Sequence, residues 1–199
     1  MRIKSHWFKG GRAHTPEEIA GAVSFTISKI ASNALQNTRK AKFEVAVGPQ
    51  YFAFLAEFLL FLIQVADRIA YRRFSAEDRY SFTSTLANRV AETFAENQSR
   101  LQGGDLSSCK QHFIDQLNLR AGEYADFEYG EDGPSFHFSR YLGFCMEQVM
   151  NEADSFWVID QMMSIEAPKS VEMVEKTMRD LFETEPRVRR PHRPASSYT

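Results

Sequence analysis

The sequence predicts an all-α protein in which six or seven helices form a bundle around one central hydrophobic helix. Residues suited to helix N-termini precede apolar residues that recur every three or four positions. One segment, 49–74, is apolar around most of its circumference, as expected of a helix enclosed by others. The composition, 43% hydrophobic and 25% charged, is that of a globular protein, and we expect helix content well above the usual third.

The first two helices follow from a capping box and from a Gly-Pro pair. Thr15 and Glu18 fit the capping box, and the helix that they begin is predicted to run to about Arg39. Residues 43–47 alternate in polarity, which is compatible with a very short strand. Gly-Pro then restarts a helix over about 49–74. Its predicted core residues are Phe54, Phe58, Leu62 and Val65.

The next two helices and a break follow from caps and glycines. Ser75 is predicted to cap the third helix, which ends at Gly103-Gly104. Asp105 is predicted to cap the fourth. The Gly and Pro residues of 130–134 interrupt the chain, and aromatic residues lie on both sides of the break. This pattern is compatible with one small hairpin near 125–140.

The last third of the chain allows two helical assignments. No Gly or Pro interrupts Phe144 to Ile165, so this segment could be one long helix, or Asp154 could cap a separate short one. Pro168 is predicted to open the last helix, and Pro186 to end it.

The domain organisation has three predicted parts. Residues 1–14 form a basic N-terminal segment, and 15–185 form a single helical domain, because a chain of 199 residues fits one domain. Residues 186–199 hold three Pro and four Arg without apolar periodicity, and we expect a flexible tail there.

The formal net charge of −2 hides an uneven distribution. Residues 1–104 carry +5, residues 105–185 carry −11 and the tail carries +4. Two explanations of this asymmetry are open. It could be ordinary variation of surface charge, or it could reflect complementary association within a chain or between copies. Residues 15–185 hold 16 basic and 26 acidic residues, which would repel phosphate. With no nucleic-acid-binding motif in the sequence, we expect no nucleic-acid partner.

The most hydrophobic segment does not have the composition of a membrane span. Within residues 51–70 it contains Glu57, Asp67 and Arg68, and its longest run without an ionisable residue is Phe58 to Ala66. A transmembrane helix needs about 18 or more predominantly apolar residues. No apolar run follows the first basic residues, as a secretory signal would require. We expect a cytoplasmic protein without membrane contact.

The sequence offers few metal ligands and no familiar catalytic motif. No His has an acid three residues before it, as di-iron bundles require. Cys109, His112 and Asp115 lie within about a third of one helix circumference, but structural zinc needs four ligands. The acidic run lacks the spacing of a calcium-binding EF-hand; its residues are Glu123, Asp126, Glu128, Glu131 and Asp132. Nucleophile and phosphate-loop motifs are absent, and we expect no cofactor and no tightly bound transition metal.

A line of polar residues on the second helix is the most informative feature of the sequence. Steps of seven, three or four, and three residues place its members on one side of an otherwise apolar helix. These candidate pocket residues are Glu57, Gln64, Asp67, Arg68 and Tyr71. They could pair with neighbouring helices, or they could line a ligand pocket between helices.

Two functional hypotheses follow. The leading one is a non-enzymatic helical protein that acts by association, as a homodimer or with another protein, since the chain is rich in Phe and has no catalytic motif. The alternative is a helical ligand-binding protein or enzyme with a pocket along the line from Glu57 to Tyr71. Whether this line meets solvent, a partner or a cavity discriminates between them.

Overall fold

A computed structural model describes residues 14–183, and helix accounts for 82% of them. The all-α prediction is confirmed, together with the small hairpin. The predicted N-terminal segment lies outside the described residues except for His14, and so does the whole predicted tail. The elements are α1 (Pro16–Lys40), α2 (Pro49–Tyr71), α3 (Ala76–Gln102), α4 (Leu106–Ala125), β1 (Tyr129–Gly130), β2 (Gly133–Pro134), α5 (Phe136–Val149), α6 (Glu152–Gln161) and α7 (Ala167–Phe182), with a π-helical segment (Met162–Glu166) joining α6 to α7.

Successive helical rods run in opposite directions along the bundle. At one end the start of α2 meets the ends of other helices, where the Gln50 amide donates to the carbonyl of Val149, after α5. At the other end, Phe74 after α2 packs its ring 5.0 Å from that of Phe182 in α7. Because α6, the π-helical segment and α7 are continuous, the described chain forms six rods.

Helix α2 occupies the centre because its sequence offers apolar side chains in every direction. Every residue from Phe54 to Ala66 is buried. Helices α1, α3, α4, α5 and α7 all pack against it. The four predicted core residues are fully buried, as expected of a helix that is hydrophobic all round.

Most of the predicted helix boundaries are confirmed, and side chains cap three of the helix starts. Thr15 and Glu18 form the reciprocal capping box of α1. Ser75 and Asp105 each accept a hydrogen bond from the backbone amide three residues on, and so cap α3 and α4. Gly103 ends α3 with φ of 78°, a left-handed conformation that glycine adopts without steric cost. Helix α2 ends at Tyr71, three residues before the predicted end.

The segment between α1 and α2 contains no strand, so the alternation of 43–47 is not a strand pattern here. Side chains satisfy its backbone groups instead. The Glu44 amide donates to Asp154 at 2.6 Å, and the Ala46 amide donates to Gln50 at 2.6 Å. Arg39 donates to the carbonyl of Val45 at 2.7 Å.

The hairpin is short and is held to the rest of the bundle by arginine. Tyr129 pairs with Pro134, and Gly130 pairs with Gly133. Arg72, just after α2, donates hydrogen bonds to the carbonyls of Tyr129 and Gly130. The aromatic residues after the hairpin belong to α5, which Ser135 caps.

The last third of the chain follows the alternative with a separate short helix, but that helix begins one turn earlier than predicted. Helix α5 ends at Val149, and Asn151 caps α6 by accepting a hydrogen bond from the amide of Asp154, so Asp154 is not the cap. Pro168 does not open a new helix, because α7 continues from the π-helical segment. A proline inside a helix lacks a donor and crowds the preceding turn, and the π turn directly before Pro168 relieves this crowding. The described part of α7 ends at Phe182.

Among residues 14–183, no helix has both the length and the hydropathy that crossing a bilayer requires.

Candidate functional site

Helices α4 and α5 form the loosest junction around α2. Neighbouring helices elsewhere in the ring pack closely, whereas the backbones of α4 and α5 make little close contact. Large aromatic side chains fill the space between them. The ring of Tyr124 lies 4.6 Å from that of Phe138 and 5.0 Å from that of Tyr141, and Phe61 of α2 packs beneath them at 5.8 Å from Phe138. The width of this α4–α5 junction follows from the size of these rings.

A partly buried ion-pair cluster, formed by Glu57, Arg120, Glu123 and Tyr141, lies in this junction. Arg120 of α4 donates to both carboxylate oxygens of Glu57 on α2, from Nε at 2.9 Å and from Nη2 at 2.7 Å. Its Nη1 donates to Glu123 at 2.8 Å and to the Tyr141 hydroxyl at 3.1 Å. The Tyr141 hydroxyl in turn donates to Glu123. The Arg120 cluster therefore joins three helices.

The electrostatics of the Arg120 cluster favour a charged Arg120, a charged Glu123 and a neutral Tyr141 hydroxyl. Hydrogen bonds to Glu57 raise the pKa of Arg120 further above its already high value. Burial alone would raise the pKa of Glu123, but hydrogen bonds from Tyr141 and Arg120 hold it below its usual value. Burial, and then the hydrogen bond to Glu123, raise the pKa of Tyr141. These groups satisfy one another, as a buried ion pair requires.

Two further members of the polar line pair with α3. Asp67 accepts hydrogen bonds from Arg79 at 3.0 Å and 2.5 Å, and from the Thr83 hydroxyl at 2.7 Å. The Arg79 guanidinium also lies 4.9 Å from the centre of the Tyr71 ring. Tyr71 itself is exposed.

Of the remaining members, Arg68 is bonded to α4, since it donates to the carbonyl of Tyr124 at 2.8 Å. Gln64 is buried one turn before Arg68. The polar line therefore contacts two neighbouring helices, with Glu57 bonded to α4 and Asp67 bonded to α3. Its charged members are thus partnered within the chain.

The candidate metal ligands on α4 are spread out at its surface. Cys109 is half-buried, whereas His112 and Asp115 are exposed, and Asp115 accepts a hydrogen bond from Gln111 at 2.8 Å. Within residues 14–183, the structure brings together no group of three or more His, Cys, Asp or Glu side chains that could hold a metal ion. In the acidic run, Glu123 belongs to the Arg120 cluster, and the other acids are exposed.

A groove of about 270 Å³ crosses the outer surface of α5, next to the Arg120 cluster. Steps of three and four residues place its α5 members on one helix face. Gly143 permits close approach of α5 and α6, because a Cβ there would lie 3.0 Å from Ile159, which lines the groove from α6. The groove is lined by Phe127, His137, Arg140, Tyr141, Phe144, Glu147 and Ile159.

Exposed Phe and Trp side chains are concentrated on α5 and α6, the two helices that contribute most of the groove lining. Five Phe or Trp residues of the described chain are exposed, and only Phe25 on α1 lies outside α5 and α6. Monomeric proteins rarely expose large contiguous apolar patches, and such patches mark interaction sites. We call the groove, together with the exposed Phe and Trp residues of α5 and α6, the α5–α6 face. Those residues are Phe136, Phe144, Phe156 and Trp157.

The two free thiols lie in contrasting environments, so we expect them to differ in reactivity. Cys145 is buried, and burial, with the nearby Glu57 carboxylate, raises the pKa of its thiol to about 12. Because the thiolate is the reactive form, we expect a thiol reagent at pH 8 to modify half-buried Cys109 and to leave Cys145 unmodified until the protein unfolds. The C109S variant provides the control. Modification of native C109S at the rate of the unfolded chain would contradict this burial.

The same thiol links stability to alkaline pH. The neutral thiol is favoured in the folded state, so its contribution is complete below the unfolded pKa of about 8.5. The contribution is lost as the pH rises toward the folded value of about 12.

No protein-family model, curated protein or solved structure matches this chain.

The sequence analysis did not predict some residues of this region, although the sequence contains features that indicate them. Arg120 falls in the apolar stripe of α4, three residues after Leu117 and four before Tyr124, and a charge in such a stripe indicates a buried partner. Phe144 lies off the apolar stripe of α5, which indicates an exposed aromatic side chain. The groove itself combines α5, α6 and the residue Phe127, so no single segment reveals it.

Proposed function

We propose that this protein acts by self-association, with the α5–α6 face of one copy bound to the same face of a second copy. The observation that supports it is the concentration of exposed Phe and Trp on α5 and α6. Aromatic residues are enriched in the cores of protein interfaces, where each one buries about 150–250 Å². Covering these side chains would remove apolar surface from water, which is the main driving force of association.

Charge favours a second copy as the occupant of this face. Arg140 and Glu147 lie on either side of Phe144 along α5, so the face carries both signs and can complement an identical face. The formal net charge of the chain is only −2, so two copies repel each other weakly. The sequence predicts the cytoplasm as the place of this association.

A second candidate function is the binding of a small apolar ligand in the groove. The aromatic walls formed by Phe127, Tyr141 and Phe144 support this candidate. Its volume of about 270 Å³ lies just below the common range of about 300–1,000 Å³ for ligand pockets. This candidate predicts that ligand binding depends on Phe144 while the protein stays monomeric.

Replacing Phe144 tests self-association directly. Phe144 is 51% exposed, so F144E leaves the core intact while placing a charge at the centre of the proposed interface. We expect the unmodified chain to be dimeric at micromolar concentration and F144E to be monomeric, because a desolvated and unpaired carboxylate opposes association. Light scattering coupled to size-exclusion chromatography measures both masses.

The matched control is F25E, which places the same charge on Phe25, 75% exposed on α1. F25E should remain dimeric, and circular dichroism should show equal helix content in all three proteins. A dimer that persists in F144E, or a dimer that F25E disrupts equally, would contradict the proposed surface.

A further inference from the structure

We infer that two copies pair through antiparallel α5 helices about a twofold axis near Phe144, with Arg140 of each copy facing Glu147 of the other. This inference rests on the proposed self-association and specifies its geometry. It assigns Arg140 and Glu147 as the residues that determine register and partner.

The first step is the spacing of the two charges on α5. Arg140 and Glu147 are seven residues apart, which is almost two full turns of an α-helix and about 10 Å along its axis. They therefore lie on the same side of the helix, and both line the groove. Phe144 lies between them on the same outer face.

The second step is symmetry. A twofold axis perpendicular to α5 reverses the direction of the helix, and an isologous interface pairs residue i of one copy with residue j of the other, and j with i. An axis midway between Arg140 and Glu147 therefore places each arginine opposite the glutamate of the other copy. The same axis passes next to Phe144, so the two phenyl rings meet at the centre. A parallel arrangement would instead place Arg140 against Arg140 and Glu147 against Glu147.

The third step is that both charges are available. Arg140 is exposed and Glu147 is half-buried, and among the described residues neither forms an ion pair or a side-chain hydrogen bond. The arginines elsewhere in the site differ, since Arg120 and Arg79 have acidic partners within the chain. An apolar centre flanked by unpartnered opposite charges matches the core and rim of a protein interface.

Charge reversal tests this geometry with two single variants and their mixture. R140E and E147R each convert two attractive contacts per dimer into two repulsive ones, and we expect dimer dissociation constants at least about tenfold higher. Mixing R140E with E147R should restore dimers, because glutamate then faces arginine at both contacts. The double variant R140E/E147R should likewise dimerise with an affinity close to that of the unmodified chain. Analytical ultracentrifugation of each chain, with a fluorophore on one chain of the mixture, measures these affinities.

The control is K169E, which changes the net charge by the same amount as R140E at an exposed position of α7. Its dimer affinity should stay unchanged. If F144E abolishes the dimer but the mixture of R140E and E147R does not re-form it, the antiparallel geometry is wrong and the proposed function stands. If the unmodified chain never dimerises, both are wrong. Equal weakening by K169E and R140E would show a net-charge effect and would overturn the assigned pair.

Discussion

Replacing Leu62 with alanine is expected to lower the free energy of unfolding by about 2–5 kcal/mol, because a packed core only partly collapses around the resulting cavity. Leu62 is fully buried in α2, the helix against which five others pack. Urea denaturation followed by circular dichroism gives the midpoint and the slope. L119A is the control, since Leu119 is 60% exposed on α4 and its truncation should change stability by less than about 0.5 kcal/mol.

An L62A protein with the midpoint and slope of the unmodified chain would show that α2 is peripheral. The arrangement of the other helices around it would then be wrong.

Replacing Arg120 with methionine is expected to cost about 3–5 kcal/mol, because it leaves the buried Glu57 carboxylate without its cation. Methionine keeps much of the side-chain volume, so the effect measures the lost charge and hydrogen bonds more than a cavity. The double variant E57L/R120M should recover most of this loss, since an apolar pair of similar volume often replaces a buried ion pair without destabilisation. Chemical denaturation of both proteins measures the difference.

The control for this cluster is R100M, which removes an exposed arginine near the end of α3. It should change stability little, as substitutions at the surface usually do. If R120M and R100M have equal effects, Arg120 does not hold α4 to α2. If E57L/R120M is as unstable as R120M, the loss does not come from an unpaired Glu57.

The sequence predicts the bundle well where local signals and packing agree. Thr15, Ser75 and Asp105 cap helices as predicted because each cap is local, made with an amide three residues on. The central place of α2 follows from its apolar circumference.

Predictions failed where the outcome depends on tertiary contacts. Backbone groups of residues 43–47 form hydrogen bonds with side chains of α1, α2 and α6. Because α6 is more than a hundred residues away in the sequence, the local alternation of polarity wrongly suggests a strand. Both Asn151 and Asp154 suit an N-cap, and the sequence alone does not rank them. The π turn before Pro168 follows from the continuous path of α6 into α7.

The candidate site is only partly visible in the sequence. The polar line from Glu57 to Tyr71 is visible in the sequence because polar residues stand out on an apolar helix, but its partners on α3 and α4 are set by packing. The groove on α5 depends on the approach of Ile159 to Gly143. Such contacts join segments that no local pattern relates.

Sedimentation equilibrium of the unmodified chain tests the central claim of self-association most directly. Over roughly 1–100 μM, the range of ordinary affinities, we expect the weight-average mass to rise from the 22.9 kDa of one chain toward twice that value. The rise should follow a monomer–dimer equilibrium, because an isologous twofold contact is closed and recruits no third copy. A mass of 22.9 kDa at every concentration would contradict self-association, and so would a mass that grows beyond two chains.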